Sequence, residues 1–422
     1  MADPTAIRTR RWLAPGFLAA GGGVVAAIVA TTLASQFFRS ATSALGPELI
    51  RDLALSPEAL GLANGAFFIS LTLSQIPIGM LFDRYGPRRV VSALTVFTVL
   101  GAALHAAAAS ETSFILARLL VGLGCAGSFM SAVVLCGRWY RGARYATMLS
   151  RVFALSSLGF LLAGTPWAAL AAAIGWRAAF AVSALLAAAT GAVFFALARD
   201  APASEPSPRR ESLREIVAGL GKVWLVPGLM PILAMHFVAY AAGLTVFGVW
   251  AGPYLHDVFG LDPVARGNVL LAMAVAQMVG TLSYGPLDRR LGTRRGVVGA
   301  GAALSLLVLG GLAALPHAPG ALAIAVLILF SAVSSYSVVN VADANSRFVP
   351  ALAGRGATAV NLCQAIGTAL IPILTGAVIG LFPEAVDGRP EIAYRAAFAV
   401  IATSLALGLL LYWGWYARPE KR

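Results

Sequence analysis

Charge is what this sequence has least of. Asp, Glu, Lys and Arg make up 12% of its 422 residues, against roughly 25% in a soluble domain, so the chain has too little polar surface to stay in water. Cysteine is nearly absent as well. The three thiols, Cys125, Cys136 and Cys363, are odd in number and sit in apolar segments, which argues against a disulfide framework or a thiolate metal site. Four histidines are scattered without ligand spacing, and there is no glycine-rich phosphate loop, so neither a metal centre nor ATP-driven pumping is expected. No nucleophile–base pair stands out, so the chain is not read as an enzyme and no cofactor is expected. Only two of the 31 basic residues, Lys222 and Lys421, are lysines, a compositional bias that carries no function.

What the chain has is apolar length. Hydrophobic residues reach 59% and the mean hydropathy is +0.82, with runs of about 20 apolar residues separated by short charged or Pro/Gly segments, the pattern of a polytopic helical membrane protein. Twelve spans can be drawn: 20–48, 60–82, 89–109, 114–136, 145–170, 177–198, 228–256, 266–285, 296–315, 320–342, 357–382 and 393–417. The start imitates a signal peptide, but the apolar run from Trp12 to Phe38 exceeds the roughly 7–15 residues of such a core, so a retained first helix is expected.

The net charge of +13 might suggest nucleic acid, but its placement argues otherwise. With the N-terminus inside, 23 basic residues fall on the inner side and five on the outer: Arg51, Arg177, Arg266, Arg389 and Arg395. That asymmetry predicts both termini in the cytoplasm, in a plasma membrane and most simply a bacterial inner membrane. The bilayer is then the expected partner, and nucleic acid is not. The longest polar interruption, "RDAPASEPSPRRESLREI", separates spans six and seven and predicts a bundle over 1–198, a cytoplasmic linker over 199–227 and a second bundle over 228–422. "WRAAFAV" opens span six at Trp176 and "YRAAFAV" opens span twelve at Tyr394, so the halves read as a parallel repeat with a substrate site between them.

The loop after span two, "GMLFDRYGPRRV", resembles the signature of the major facilitator superfamily, Gly-x-x-x-Asp-Arg-x-Gly followed by basic residues. In its chemistry, Gly79 permits close helix approach, Gly86 permits a tight turn, and Asp83 can face the positive N-terminus of another helix. Arg84, Arg88 and Arg89 hold the loop inside. The equivalent "YGPLDRRLGTRR" keeps Asp288, Arg289, Gly292, Arg294 and Arg295, but Gly285 stands three residues before Asp288, where Gly79 stands four before Asp83. "RLLVGLGCAGS", from Arg118, resembles the family's arginine-and-glycine motif in span four. The resemblance covers nearly the whole chain. It implies an all-α membrane fold of two six-helix bundles that moves a solute by alternating access.

An arginine at the centre of a membrane costs roughly 2.5–3.5 kcal/mol on insertion scales and so needs a reason. "QFFRSATSALGPEL" resembles the first helix of the family's anion:cation symporters, which implies that Arg39 binds a substrate carboxylate. The alternative is a shorter helix, 16–38, with Arg39 among outer headgroups. Arg118 is either a cavity cation or an interhelical brace, and Arg151 lies within snorkelling reach. His236 and Tyr240 share a face of span seven, as Tyr336 and Asn340 do in span ten. With Gln36 and Gln364 they are candidate substrate contacts, or else polar links between helices. Asp343 is a candidate gate residue that would pair with Arg289 or Arg347. Trp250 and Tyr254 read equally as interface anchors.

Spans one, four and seven carry no central carboxylate, and span five lacks the Gly-Pro-x-x-Gly-Gly motif of the superfamily's drug antiporters. The reading is therefore a secondary transporter of a small organic anion, with a proton as the candidate coupling ion. Efflux of amphipathic compounds and a transport-inactive receptor on the same scaffold are the alternatives.

Overall fold

The computed structural model describes residues 21–140, 143–200, 223–224, 226–348, 353–384 and 388–416. Most of the expected linker, 201–222 and residue 225, lies outside these. Among the described residues, twelve helices are long and apolar enough to cross a membrane: Gly23–Ala44, Pro57–Tyr85, Pro87–Ala106, Glu111–Trp139, Thr147–Ile174, Trp176–Leu197, Leu229–Asp257, Pro263–Leu291, Arg294–Ala314, Gly320–Ser346, Ala359–Gly380 and Glu391–Gly414. They are spans one to twelve below. The face where span two passes to span three, carrying Arg84, Arg88 and Arg89, is called the basic face. Its counterpart, where spans one and two are joined, is the opposite face.

Helix starts follow local chemistry. Ser56 caps span two through the Ala59 N–H at 3.1 Å, and Asp262 caps span eight through the Ala265 N–H at 2.8 Å. Each cap is followed by a proline at the first helical position, where its missing N–H costs nothing. The first span is shorter than 20–48. It ends at Ala44, and a separate helix, Gly46–Leu53, begins with Pro47 in its first turn. Spans four, five, seven and ten are interrupted. The break in span seven is a π-helical turn, Val246–Trp250, and that in span ten a 3-10 turn, Ser334–Tyr336.

The repeated heptapeptide has a physical meaning. In the first half, Trp176 Nε1 donates to Asp52 Oδ2 at 2.8 Å and Arg177 Nη2 to the Ala108 carbonyl at 3.2 Å. In the second, Tyr394 OH donates to Asp257 Oδ2 at 2.6 Å, and Arg395 donates to the Ala313 and Ala314 carbonyls at 2.9 and 3.1 Å. Each motif thus ties the opposite-face start of its bundle's sixth helix to a carboxylate following the first and to the carbonyl end of the third, where a cation is favoured. The indole hydrogen bond, with Arg51 beside it, holds the Asp52 carboxyl below the ordinary carboxylate range, against a smaller upward push from burial.

Of the two readings of Trp250 and Tyr254, burial removes one. Trp250 and Tyr254 are each 1% exposed and are not interface anchors. Trp250 Nε1 donates to Thr375 Oγ1 of span eleven at 2.8 Å, and Tyr254 packs edge-on against Phe259 and Phe398.

Candidate functional site

Span one continues as helix past Arg39 to Ala44, so the shorter helix 16–38 is not what forms. A helical side chain leans toward its own N-terminus, here toward the basic face, and Arg39 follows that lean between spans two and four. Its Cζ lies 5.6 Å from the Phe68 ring centre and 5.1 Å from that of Phe129. The residue is 8% exposed, and Nε is buried without a hydrogen-bond partner. Among the described residues the guanidinium makes neither a hydrogen bond nor an ion pair. Ring faces offset about 0.5–2 kcal/mol of its desolvation, well below the several kcal/mol that removing a charge from water costs.

The π turn of span seven packs beside the Arg39 backbone. A Cβ added at Gly248, within the π turn, would stand 3.4 Å from the Arg39 carbonyl oxygen. Such single-turn bulges recur at functional sites. Gln36, one turn away on the same helix, is also 8% exposed, and its Oε1 has no partner among the described residues.

Arg118 is differently placed. It is 1% exposed, and its Nη1 donates to the Phe38 carbonyl at 2.7 Å and Nη2 to Asn64 Oδ1 at 2.7 Å. Its Cζ sits 4.7 Å over the Phe67 ring. The side chain therefore stitches span four to spans one and two, and grips the backbone next to Arg39. Asn64 went unnoticed in the sequence because its role depends on a partner fifty-four positions away.

The second-half candidates gather elsewhere. His236 and Asn340 are 1% and 0% exposed. Asn340 Nδ2 donates to the Ile232 carbonyl at 3.1 Å, one turn below His236. Gln364, half-buried, stands beside the His236 ring, yet neither ring nitrogen has a well-formed hydrogen bond among the described residues. Tyr336 is fully buried, its hydroxyl without a partner among the described residues, and Tyr240 is half-buried. His236 lies twelve residues, about 18 Å along a helix axis, nearer the basic face than Gly248. The structure thus separates this neutral polar group from the level at which span one carries Arg39.

At the basic face, Gly86 adopts φ +81°, a positive φ that suits a glycine at the tight turn expected there. Gly79 is corrected: a Cβ there would meet only Met130 Sδ at 3.8 Å, an ordinary contact rather than a close helix approach. Asp83 and Arg84 are exposed. Asp200, after span six, takes the Arg88 backbone N–H at 2.7 Å, while Arg88 Nε donates to the Phe195 carbonyl at 2.7 Å. Asp288 pairs with Arg294 in its own loop at 3.4 Å, and Arg289 is exposed. Asp343 is 7% exposed and pairs with Arg347 at 3.8 Å.

Sequence reading missed how the bundles meet. Arg266 of span eight, 1% exposed, donates to Glu48 Oε1 at 2.5 Å and to the Ala44 carbonyl at 3.4 Å, and Thr165 Oγ1 donates to Asn268 Oδ1 at 2.8 Å. Spans two and eleven pack backbone to backbone. A Cβ at Gly61 would overlap the Pro372 carbonyl, and one at Gly376 would lie 2.6 Å from the Pro57 carbonyl. The spacings Gly61-x-x-x-Gly65 and Gly376-x-x-x-Gly380 are the sequence signal that could have revealed this seam. All these cross-bundle contacts lie toward the opposite face.

Comparison with known proteins fits this architecture. The chain is similar to a protein of Agrobacterium vitis named as a tartrate transporter, 25% identical over 69% of this chain and 66% of that one. It is also similar to a Cupriavidus necator protein named as a sulfoacetate transporter, 23% identical over 60% of this chain and 61% of that one. These matches span somewhat under two thirds of the relatives' length. Among solved structures, a bacterial homologue of the human lysosomal transporter Spinster superposes with a TM-score of 0.79 at 17% identity, covering 94% of this chain and 97% of that one. The family model described as Major Facilitator Superfamily matches residues 27–372. Twelve spans, the loop motif after span two and that match over most of the sequence lead to one conclusion: the chain belongs to the Major Facilitator Superfamily.

Proposed function

We propose that this protein is a secondary transporter that moves a small organic anion by alternating access, with Arg39 holding the anion's carboxylate. The observation that carries the reading is a guanidinium more than nine-tenths buried, framed by two phenyl rings and without a partner among the described residues. A bound carboxylate would supply the missing counter-charge through two parallel hydrogen bonds. Relatives named for tartrate and sulfoacetate, both anions, support the class. In this reading residues 1–198 and 228–422 are the two moving bodies, joined by 199–227. The basic face is cytoplasmic, and contact at the opposite face leaves Arg39 to be reached from the cytoplasmic side.

The test is ligand binding and uptake by purified protein in proteoliposomes, using a panel of organic anions and of cationic dyes. Arg39→Ala should insert normally yet lose about 2–5 kcal/mol of anion affinity, the usual cost of removing one member of a desolvated charge pair. Arg39→Lys, which keeps the charge and loses the fork, should fall between. Anion affinity unchanged in Arg39→Ala, or dye movement independent of Arg39, would refute the assignment.

A further inference from the structure

The opposite face is closed by a cation that is itself buried. Arg266, at the start of span eight, is 1% exposed. Its Nη1 donates to the Leu261 carbonyl of its own bundle at 3.0 Å. Its Nη2 reaches the other bundle, to the Ala44 carbonyl at 3.4 Å and Glu48 Oε1 at 2.5 Å. The ion pair is held at one point only. Glu48 Oε2 and Arg266 Nε are both buried and have no hydrogen-bond partner among the described residues. The two parallel bonds that an arginine and a carboxylate form at their strongest are therefore not made. The Glu48 carboxylate rides on the separate helix Gly46–Leu53, and the backbone leading to it abuts span seven. A Cβ at Gly252 would overlap the Ser43 carbonyl, and one at Gly46 would lie 2.9 Å from Pro253 Cγ.

We infer that Arg266 is an anion-receiving site on the opposite face, where Glu48 stands in for the solute's carboxylate while that face is closed; this rests on the anion-transport reading above, and not on Arg39. Parting the bundles there draws Glu48 and the Ala44 carbonyl away from Arg266 together, because both belong to the first bundle. A guanidinium buried in the closed state then needs water or a new counter-charge. A solute carboxylate meets that need with the chemistry of Glu48. It also gains the unfilled Nε, which lies beside Nη2 on one edge of the guanidinium, and so makes the paired contact that Glu48 does not. Position supports the role. Ala44 lies five residues beyond Arg39, about 7.5 Å along span one, so an anion passing from Arg266 to Arg39 follows a single helix inward. Glu48 is a competitor tethered to the fold, and its effective concentration sets how firmly the face stays shut when no solute is present.

The experiment uses the full-length purified protein with its three native cysteines replaced by serine. Spin labels at Ala109 and His317 read the opposite face, and labels at Arg89 and Arg290 read the basic face; all four positions are exposed. Both distances are followed as tartrate is added, with dimethyl tartrate as the uncharged control, in an Arg39→Ala background so that Arg39 takes no part. Tartrate should lengthen the first distance and shorten the second, and its ester should do neither. Glu48→Gln, which removes the tethered competitor, should lower the half-maximal tartrate concentration about tenfold or more, the effect of losing one charge-assisted bond. Arg266→Gln should abolish the response. Arg266→Lys, which keeps the cation without the edge, should retain part of it, and that separates lost charge from misfolding. If neither Arg266 variant folds, the Glu48→Gln comparison alone decides. A tartrate response unchanged by Glu48→Gln, or one that survives Arg266→Gln, would overturn the site. No response at all in the Arg39→Ala background would also overturn it, and a response that returns with Arg39 restored would leave the Arg39 assignment standing.

Discussion

The two halves of this chain are alike at the rim and unlike in the middle. At the rim, Trp176 with Arg177 and Tyr394 with Arg395 make the same pair of ties to a carboxylate and to a helix's carbonyl end. In the middle, the first half holds Arg39 and Arg118, where the second holds His236, Tyr336 and Asn340. Repetition survives where the residues terminate helices, a task that both bundles share. It is lost among the polar side chains buried within the two bundles, where each half ties its helices together with different groups.

The contrast can be pressed hardest in the middle. Arg118→Met should cost about 3–5 kcal/mol of stability, because two buried acceptors lose a charged donor, and Arg39-dependent binding should weaken with it. The nearest second-half counterpart, Asn340→Ala, loses a single neutral hydrogen bond to Ile232 and should cost about 1 kcal/mol. Thermal unfolding in detergent measures both, and equal losses would erase the distinction. At the rim, Asp257→Asn should cost about 1–2 kcal/mol, as its Oδ2 takes both Tyr394 OH and the Arg389 N–H.

Asp52→Asn should cost less, since the Asp52 side chain is 28% exposed against 11% for Asp257. The smallest effect is the pH dependence of that first-half tie. The Asp52 carboxyl is held below its ordinary value by Trp176 and Arg51. Its contribution is therefore fully present above the unfolded pKa of about 4 and is lost as pH falls through the lower folded value. A melting curve for Asp52→Asn should converge on that of the parent in acid. A gap that widens there would contradict the assignment.

The helices and their order were legible because each span must satisfy its own backbone in lipid, which forces long apolar runs. The heptapeptide repeat located the second half, although its purpose needed Asp52 and Asp257, neither of which stands out in the sequence. Boundaries were less legible where proline starts a new helix. Pro47 stands in the first turn of Gly46–Leu53, and span one ends ahead of it at Ala44, although the apolar span drawn from the sequence, 20–48, runs past it. For the site, a lone arginine in an apolar helix marked Arg39. Nothing local could tell it from Arg118, because the difference is whether a carbonyl and an amide from other helices come within reach. The ion pair of Arg266 with Glu48 escaped for the same reason: its partners are 218 positions apart.

The glycine seam between spans two and eleven has a mechanical consequence. Because backbone touches backbone near one face, the seam can act as a fulcrum, and the rest of span two becomes a lever arm. From Gly61 to Tyr85 that arm is about 36 Å at 1.5 Å per residue. A rocking of one bundle against the other by about 10°, modest for a rigid-body exchange of access, would sweep the basic ends through about 6 Å while the seam slides by little more than an atom's width. In the proposed alternating access, side chains at Gly61 or Gly376 would push the fulcrum outward and shorten the stroke, so two of the smallest residues in the molecule would set how far the bundles can rock.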